Sequence, residues 1–138
     1  MKIAKNFYWE MGHRLPNHSG ACRNLHGHSY KMRVELEGTP DSNGMLIDYF
    51  ILSNIVNEII APFDHSFLCE QTDKLMCDFL QANNFKCVIV PFISTAENIA
   101  VYFLELIKKE LEKRNYNNIK NICIRIYETS DVFAEAST

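Results

Sequence analysis

Residues 29–38 read Ser-Tyr-Lys-Met-Arg-Val-Glu-Leu-Glu-Gly, and they alternate. Tyr30, Met32, Val34 and Leu36 fall on one face, Lys31, Arg33, Glu35 and Glu37 on the other. That is the pattern of a strand with one buried side. Upstream, residues 2–14 alternate in part through Ile3, Phe7 and Trp9 and predict a first strand running towards His13. Between the two lies LPNHSGACRNL, residues 15–25, rich in Pro, Asn, Ser and Gly and read as a long loop. Loops of that length inside compact domains are often functional.

Downstream, GTPDSNG (38–44) is a turn, and Asp48 is placed to cap a helix over about 49–61. Leu52, Ile55, Val56, Ile59 and Ile60 give that helix one apolar face, and Pro62 ends it. A short helix is expected over 73–82 and a strand over 86–92. Ser94 with Glu97 three residues on reads as a capping box opening a second long helix to about residue 113. RNYNN (114–118) is a turn, and 120–128 alternate as a last strand. The order predicts one α+β domain over residues 1–138, an antiparallel four-stranded sheet with two helices on one face.

Composition narrows the function. The chain is 47% hydrophobic and 22% charged, ordinary for a globular protein, with a net charge of -3 and no dense Lys/Arg run. It lacks the electrostatic footprint of a nucleic-acid binder. No apolar stretch approaches the roughly 20 residues of a membrane span, and residues 1–15 hold no continuous apolar core of a signal peptide. Five scattered cysteines without a CxxC pair suit a reducing cytoplasm better than a disulfide framework.

The chemistry concentrates in Cys22-Arg-Asn-Leu-His26-Gly-His28. Residues i and i+2 of a strand point the same way, so His26 and His28 can project together. If the first two strands pair as a hairpin, His13 lands beside them. Three histidines leave the fourth position of a zinc ion to water or substrate, as in catalytic sites. The alternative is three ordinary polar strand histidines. Cys22 keeps two readings: a fourth ligand closing a structural site, or a base or nucleophile beside the metal. Asp64-His65 is an adjacent carboxylate and imidazole suited to acid–base work. Glu128, at the end of the last strand, can accept paired N–H donors from a heterocycle.

HRL at 13–15, CxxxHGH at 22–28, DH at 64–65, STAEN at 94–98 and YET at 127–129 occur in that order. Together they resemble the 6-pyruvoyltetrahydropterin synthase family, which includes the bacterial 6-carboxytetrahydropterin synthases of queuosine biosynthesis. The resemblance covers nearly the whole chain. It implies Zn2+ on His13, His26 and His28, a catalytic Cys22, and a proton-relay pair at Asp64 and His65. It also implies a pterin-anchoring or relay role for Glu128, and it puts Thr95 in the pterin pocket. Glu97 stays with the helix cap. The implied substrate is 7,8-dihydroneopterin triphosphate: the metal binds its side-chain hydroxyls, Cys22 removes a proton, and triphosphate leaves. The implied fold is a T-fold, whose subunits join sheets into a barrel, here a homohexamer with sites at subunit interfaces.

The compact gap from Cys22 to His26 resembles the carboxy-forming branch, which releases acetaldehyde and triphosphate. The pyruvoyl-forming branch, a pterin aldolase or epimerase, and a non-catalytic domain closed on zinc are the competing readings. The sequence departs from the family at WEMG (9–12), in the longer stretch 69–91, and in the C-terminal SDVFAEAST.

Overall fold

The computed structural model describes residues 1–138. Six strands make one sheet: β1 (Lys2–His13), β2 (His26–Gly38), β3 (Ser66–Glu70), β4 (Cys87–Val90), β5 (Ile119–Tyr127) and β6 (Phe133–Ser137). Three helices accompany them: α1 (Tyr49–Ile60), α2 (Lys74–Ala82) and α3 (Ala96–Lys113). The strand order is β4-β3-β1-β2-β5-β6. β1, β2, β5 and β6 pair antiparallel, whereas β3 runs parallel to β1 and β4 parallel to β3.

Two expectations are corrected here. The sheet has six strands and is mixed rather than four-stranded and antiparallel, because 86–92 supplies a parallel edge strand next to an unexpected β3. The antiparallel four are completed instead by β6, built from the C-terminal segment. There are also three helices, and they do not share a face.

The alternation of β2 explains the layering. Tyr30, Met32, Val34 and Leu36 are fully buried, and Phe7, Trp9 and Met11 of β1 and Ile122, Ile124 and Ile126 of β5 join them in one core. α1 and α3 cover that face. Leu52, Ile55, Val56 and Ile60 are the buried side of α1, and Ile99, Phe103, Leu104, Ile107 and Leu111 belong to that of α3. Burying each such side chain contributes roughly 1.5–3 kcal/mol, against about 1 kcal/mol for an N-cap, so packing rather than capping holds these helices. α2 is different. Cys69 points away from its neighbour Leu68 and joins Met76, Cys77 and Leu80 in a separate small cluster, so α2 lies on the opposite face at the β3–β4 end.

Asp48 caps α1, accepting the Phe50 N–H at 2.6 Å. The cap of α3 is Thr95 rather than Ser94: Thr95 Oγ1 accepts the Asn98 N–H at 3.3 Å. Asn98 in turn donates from its side chain to the Ile93 carbonyl at 2.9 Å, which leaves Glu97 without the capping role.

Gly38 sits where the β2–β5 register shifts, and a Cβ there would collide with the Asn118 carbonyl oxygen. Both groups are backbone and cannot step aside. Gly38→Ala is therefore expected to destabilise the protein by about 2–3 kcal/mol, read as a lower urea midpoint at unchanged slope.

Candidate metal and pterin site

The rows of side chains that form the core continue to a polar end. On β2 the inward row runs Leu36, Val34, Met32, Tyr30 and then His28 and His26; on β1 it runs Phe7, Trp9, Met11 and then His13. The β1–β2 register sets Met11 opposite His28 and His13 opposite His26. The three imidazoles therefore converge. Their ring centroids are 4.6–5.1 Å apart, and one nitrogen of each lies within 4.8 Å of the others.

Hydrogen bonds settle which nitrogens are available. His13 Nδ1 lies 2.8 Å from the Ser94 carbonyl and His26 Nδ1 2.8 Å from the Asn24 carbonyl. A carbonyl only accepts, so both Nδ1 atoms carry the proton and both Nε2 atoms offer a lone pair. Backbone carbonyls holding the far nitrogen are what orient metal-ligating histidines. Burial pushes the His13 pKa down to about 4, helped by the neighbouring His26 and His28 and opposed by the Ser94 bond. His13 is thus neutral at pH 7, the state a metal needs, and its 3.7 Å approach to Glu128 Oε1 is no ion pair. Three converging imidazoles, two of them held by backbone carbonyls, fit a borderline-soft divalent cation such as zinc.

A cavity of about 440 Å³ opens on this cluster. Cys22 lines it from a single turn of 3-10 helix, in a loop whose ends are joined by the Leu15 N–H on the Cys22 carbonyl at 2.8 Å. Thr95 and Glu97 line it from the start of α3, and Glu128 from the end of β5. Six of the eight residues singled out in the sequence are thereby gathered: His13, His26, His28, Cys22, Thr95 and Glu128.

Asp64 and His65 do not line that cavity. Between α1 and β3 they are fastened to Glu10 of β1, with Asp64 Oδ1 accepting the Glu10 N–H at 3.0 Å and the His65 N–H donating to Glu10 O at 2.7 Å. The Glu10 N–H is the main cause holding the Asp64 carboxyl below its usual range. His65 Nδ1 lies 3.0 Å from Asp64 Oδ1, and the imidazole is 78% exposed at a second opening beside Gly12 and Gly27. The pair is formed, but it faces outward from this chain.

Sequence reasoning missed two residues here. Tyr30, read as core, puts its hydroxyl 3.3 Å from Glu128 Oε1 and 3.4 Å from His13 Nε2. Burial, then the charge of Glu128, pushes its pKa well up, so it serves as a hydroxyl donor. Its signal was its place two residues after His28 on the same face. Ser94, read as a cap, is buried and holds His13 through its carbonyl, while its hydroxyl donates to the Arg14 carbonyl at 3.3 Å.

This geometry can be set beside known proteins. The profile of the 6-pyruvoyl tetrahydropterin synthase family matches residues 2–138. A 6-carboxy-5,6,7,8-tetrahydropterin synthase of Haemophilus influenzae is 37% identical over 142 residues, covering 97% of this chain and 96% of that protein. One of Aquifex aeolicus is 29% identical, with coverage of 97% and 96%. Among solved structures, the 6-pyruvoyltetrahydropterin synthase of Plasmodium vivax superposes with a TM-score of 0.79 at 18% identity, covering 100% of this chain and 98% of that one. An uncharacterised protein of Wolinella succinogenes gives a TM-score of 0.82 at 23% identity, covering 99% and 97%. The fold is that of the pterin-synthase T-fold. The chain belongs to the 6-pyruvoyl tetrahydropterin synthase family.

Arg14, next to His13, donates from Nε and Nη2 to both Asp73 oxygens at 2.6 and 2.7 Å, tying the start of α2 to the site. That bidentate bond is the main cause lowering the Asp73 pKa. A lowered folded pKa means stability that is present above the unfolded value near 3.9 and lost as pH falls through the folded one. Asp73→Asn should cost about 2 kcal/mol at pH 7, and the Tm gap to wild type should close as pH drops below about 4. A gap independent of pH would assign the loss to packing.

Proposed function

We propose that this chain is one pterin-synthase domain acting in the cytoplasm. It is a zinc-dependent lyase that converts 7,8-dihydroneopterin triphosphate and water into 6-carboxy-5,6,7,8-tetrahydropterin, acetaldehyde and triphosphate, in queuosine and other 7-deazapurine biosynthesis. The observation that carries this reading is the convergence of His13, His26 and His28 with Cys22 and Glu128 around one cavity. Relatives bearing the 6-carboxytetrahydropterin synthase name support the branch.

His13, His26 and His28 would hold the ion, which supplies Lewis acidity towards the side-chain hydroxyls of the substrate. Glu128 accepts N–H donors of the pterin ring, and Thr95 borders the same pocket. Cys22 takes the proton from the side-chain carbon as general base. Asp64 orients His65, and His65 passes protons to and from the substrate oxygens. Because Asp64 and His65 face outward, this reading has them complete the cavity of a neighbouring subunit. That requires an assembly, for which a homohexamer with sites at subunit interfaces is our expectation.

Mass spectrometry of products, after incubating zinc-loaded protein with dihydroneopterin triphosphate, tests the reading. A 6-carboxy pterin with acetaldehyde is expected; a 6-pyruvoyl product would transfer the protein to the other branch. Cys22→Ala should keep its zinc and its Tm while losing turnover by about 10²–10⁴-fold. Joint loss of zinc and fold would make Cys22 a structural ligand instead.

A further inference from the structure

On the sheet face opposite the histidines, α2 meets β3 through Cys69, Met76, Cys77 and Leu80. Cys69 lies on β3 and Cys77 in the first turn of α2, and their Sγ atoms are 3.1 Å apart. That is closer than ordinary contact between two sulfurs, and about 1 Å short of closing to the 2.05 Å of a disulfide. Both thiols lie near the same acceptor, the Glu70 carbonyl, at 3.7 and 3.5 Å. Both are free, and no step of the proposed reaction uses them. Filling space as small hydrophobes would not require sulfur to face sulfur.

The setting favours a gated reaction. The two residues are 1% and 6% exposed. The α2 segment above them is only nine residues long, with Leu75 71% and Phe79 49% exposed. A short helix held by one small cluster and by the Asp73–Arg14 pair at its start opens locally at lower cost than the core unfolds. Burial, then the neighbouring Cys77, pushes the Cys69 thiol up, so the closed state keeps it protonated.

We propose that Cys69 and Cys77 form a reversible modification site, oxidised by hydrogen peroxide to an intramolecular disulfide that staples α2 to β3. In the open state one thiol loses its proton and the sulfur attacks a peroxide oxygen. The O–O bond breaks, the departing hydroxide takes that proton as water, and the sulfur becomes a sulfenic acid. The second thiol attacks this sulfur; the S–S bond forms, the S–O bond breaks, and hydroxide leaves with the second proton as water. The sulfurs lose two electrons and the peroxide gains them. A dithiol reverses the reaction. The closed ring contains Asp73, whose carboxylate holds Arg14 beside His13, so the staple fixes the outer support of the histidine cluster.

The test uses the full-length protein with stoichiometric hydrogen peroxide, then alkylation, digestion and peptide mapping, with Cys22 as the internal marker of an accessible thiol. The expected result is a Cys69–Cys77 cross-linked peptide lacking two hydrogens. The Tm of the oxidised protein should be raised by roughly 5 °C or more, with full reversal by dithiothreitol. Cys69→Ala should abolish the gain; because that variant alters packing, the wild-type map stands independently of it. Free Cys69 and Cys77 after Cys22 has been oxidised, a link to Cys87, or a linked form melting no higher than the reduced one would each overturn the proposal. None of these readouts depends on pterin turnover.

Discussion

The structure turns on the antiparallel register of β1 with β2, which sets His13 opposite His26 and Met11 opposite His28. A slip of one residue would swap every side chain to the other face, burying Lys31 and Arg33 and exposing Tyr30 and Met32. The same pairing therefore defines the core and the cluster; neither can be moved without the other. Close approach at its end is needed as well. A Cβ on Gly27 would stand 2.9 Å from the Met11 carbonyl oxygen, so a larger residue there would push apart the strands that present the histidines.

Ending an apolar row in a buried imidazole creates a cost that the neighbouring elements meet. His13 is only 2% exposed, and an unpaired buried ring N–H would cost about 1–3 kcal/mol. Ser94 supplies the acceptor through its carbonyl, which fixes where the chain enters α3. With Ser94 committed there, the cap falls one residue later to Thr95, and Glu97 is left at the cavity rather than folded back on the helix. Ser94 is thus held at both groups by the β1 end, its carbonyl by His13 and its hydroxyl on the Arg14 carbonyl, and the cap is made by Thr95.

How much of this was legible follows from what each residue depends on. The strands of SYKMRVELEG and KNICIRIYE, and the helices with one apolar stripe, declare themselves because one buried face imposes a period. SFLCE does not: in β3 Leu68 faces the main core and Cys69 the α2 cluster, so both sides are apolar and no alternation survives. FAEAS is short, and its pairing depends on a register with Tyr127 that no local pattern encodes. The histidines were legible through i, i+2 spacing. The Tyr30 hydroxyl and the Ser94 carbonyl were not, since their roles arise from β5 and α3 arriving at the end of the same row. Asp64-His65 was readable as a pair, but its outward direction is set by the clip to Glu10 and by the left-handed backbone of His65, φ 55°.

Tyr30 links the two ends of the cavity by hydrogen-bond arithmetic. Its hydroxyl has a single proton and two acceptors within reach, Glu128 Oε1 and the His13 Nε2 lone pair. Burial keeps that proton in place at any ordinary pH, so it can only be shared, not lost. An ion taking the Nε2 lone pair would leave Glu128 as the sole acceptor, tightening that contact and turning one carboxylate oxygen towards Tyr30. The other oxygen would then be the one free to receive a ring N–H. One buried phenol thus joins the histidine cluster to Glu128, which is a reason for a tyrosine rather than a phenylalanine where the apolar row meets the histidines.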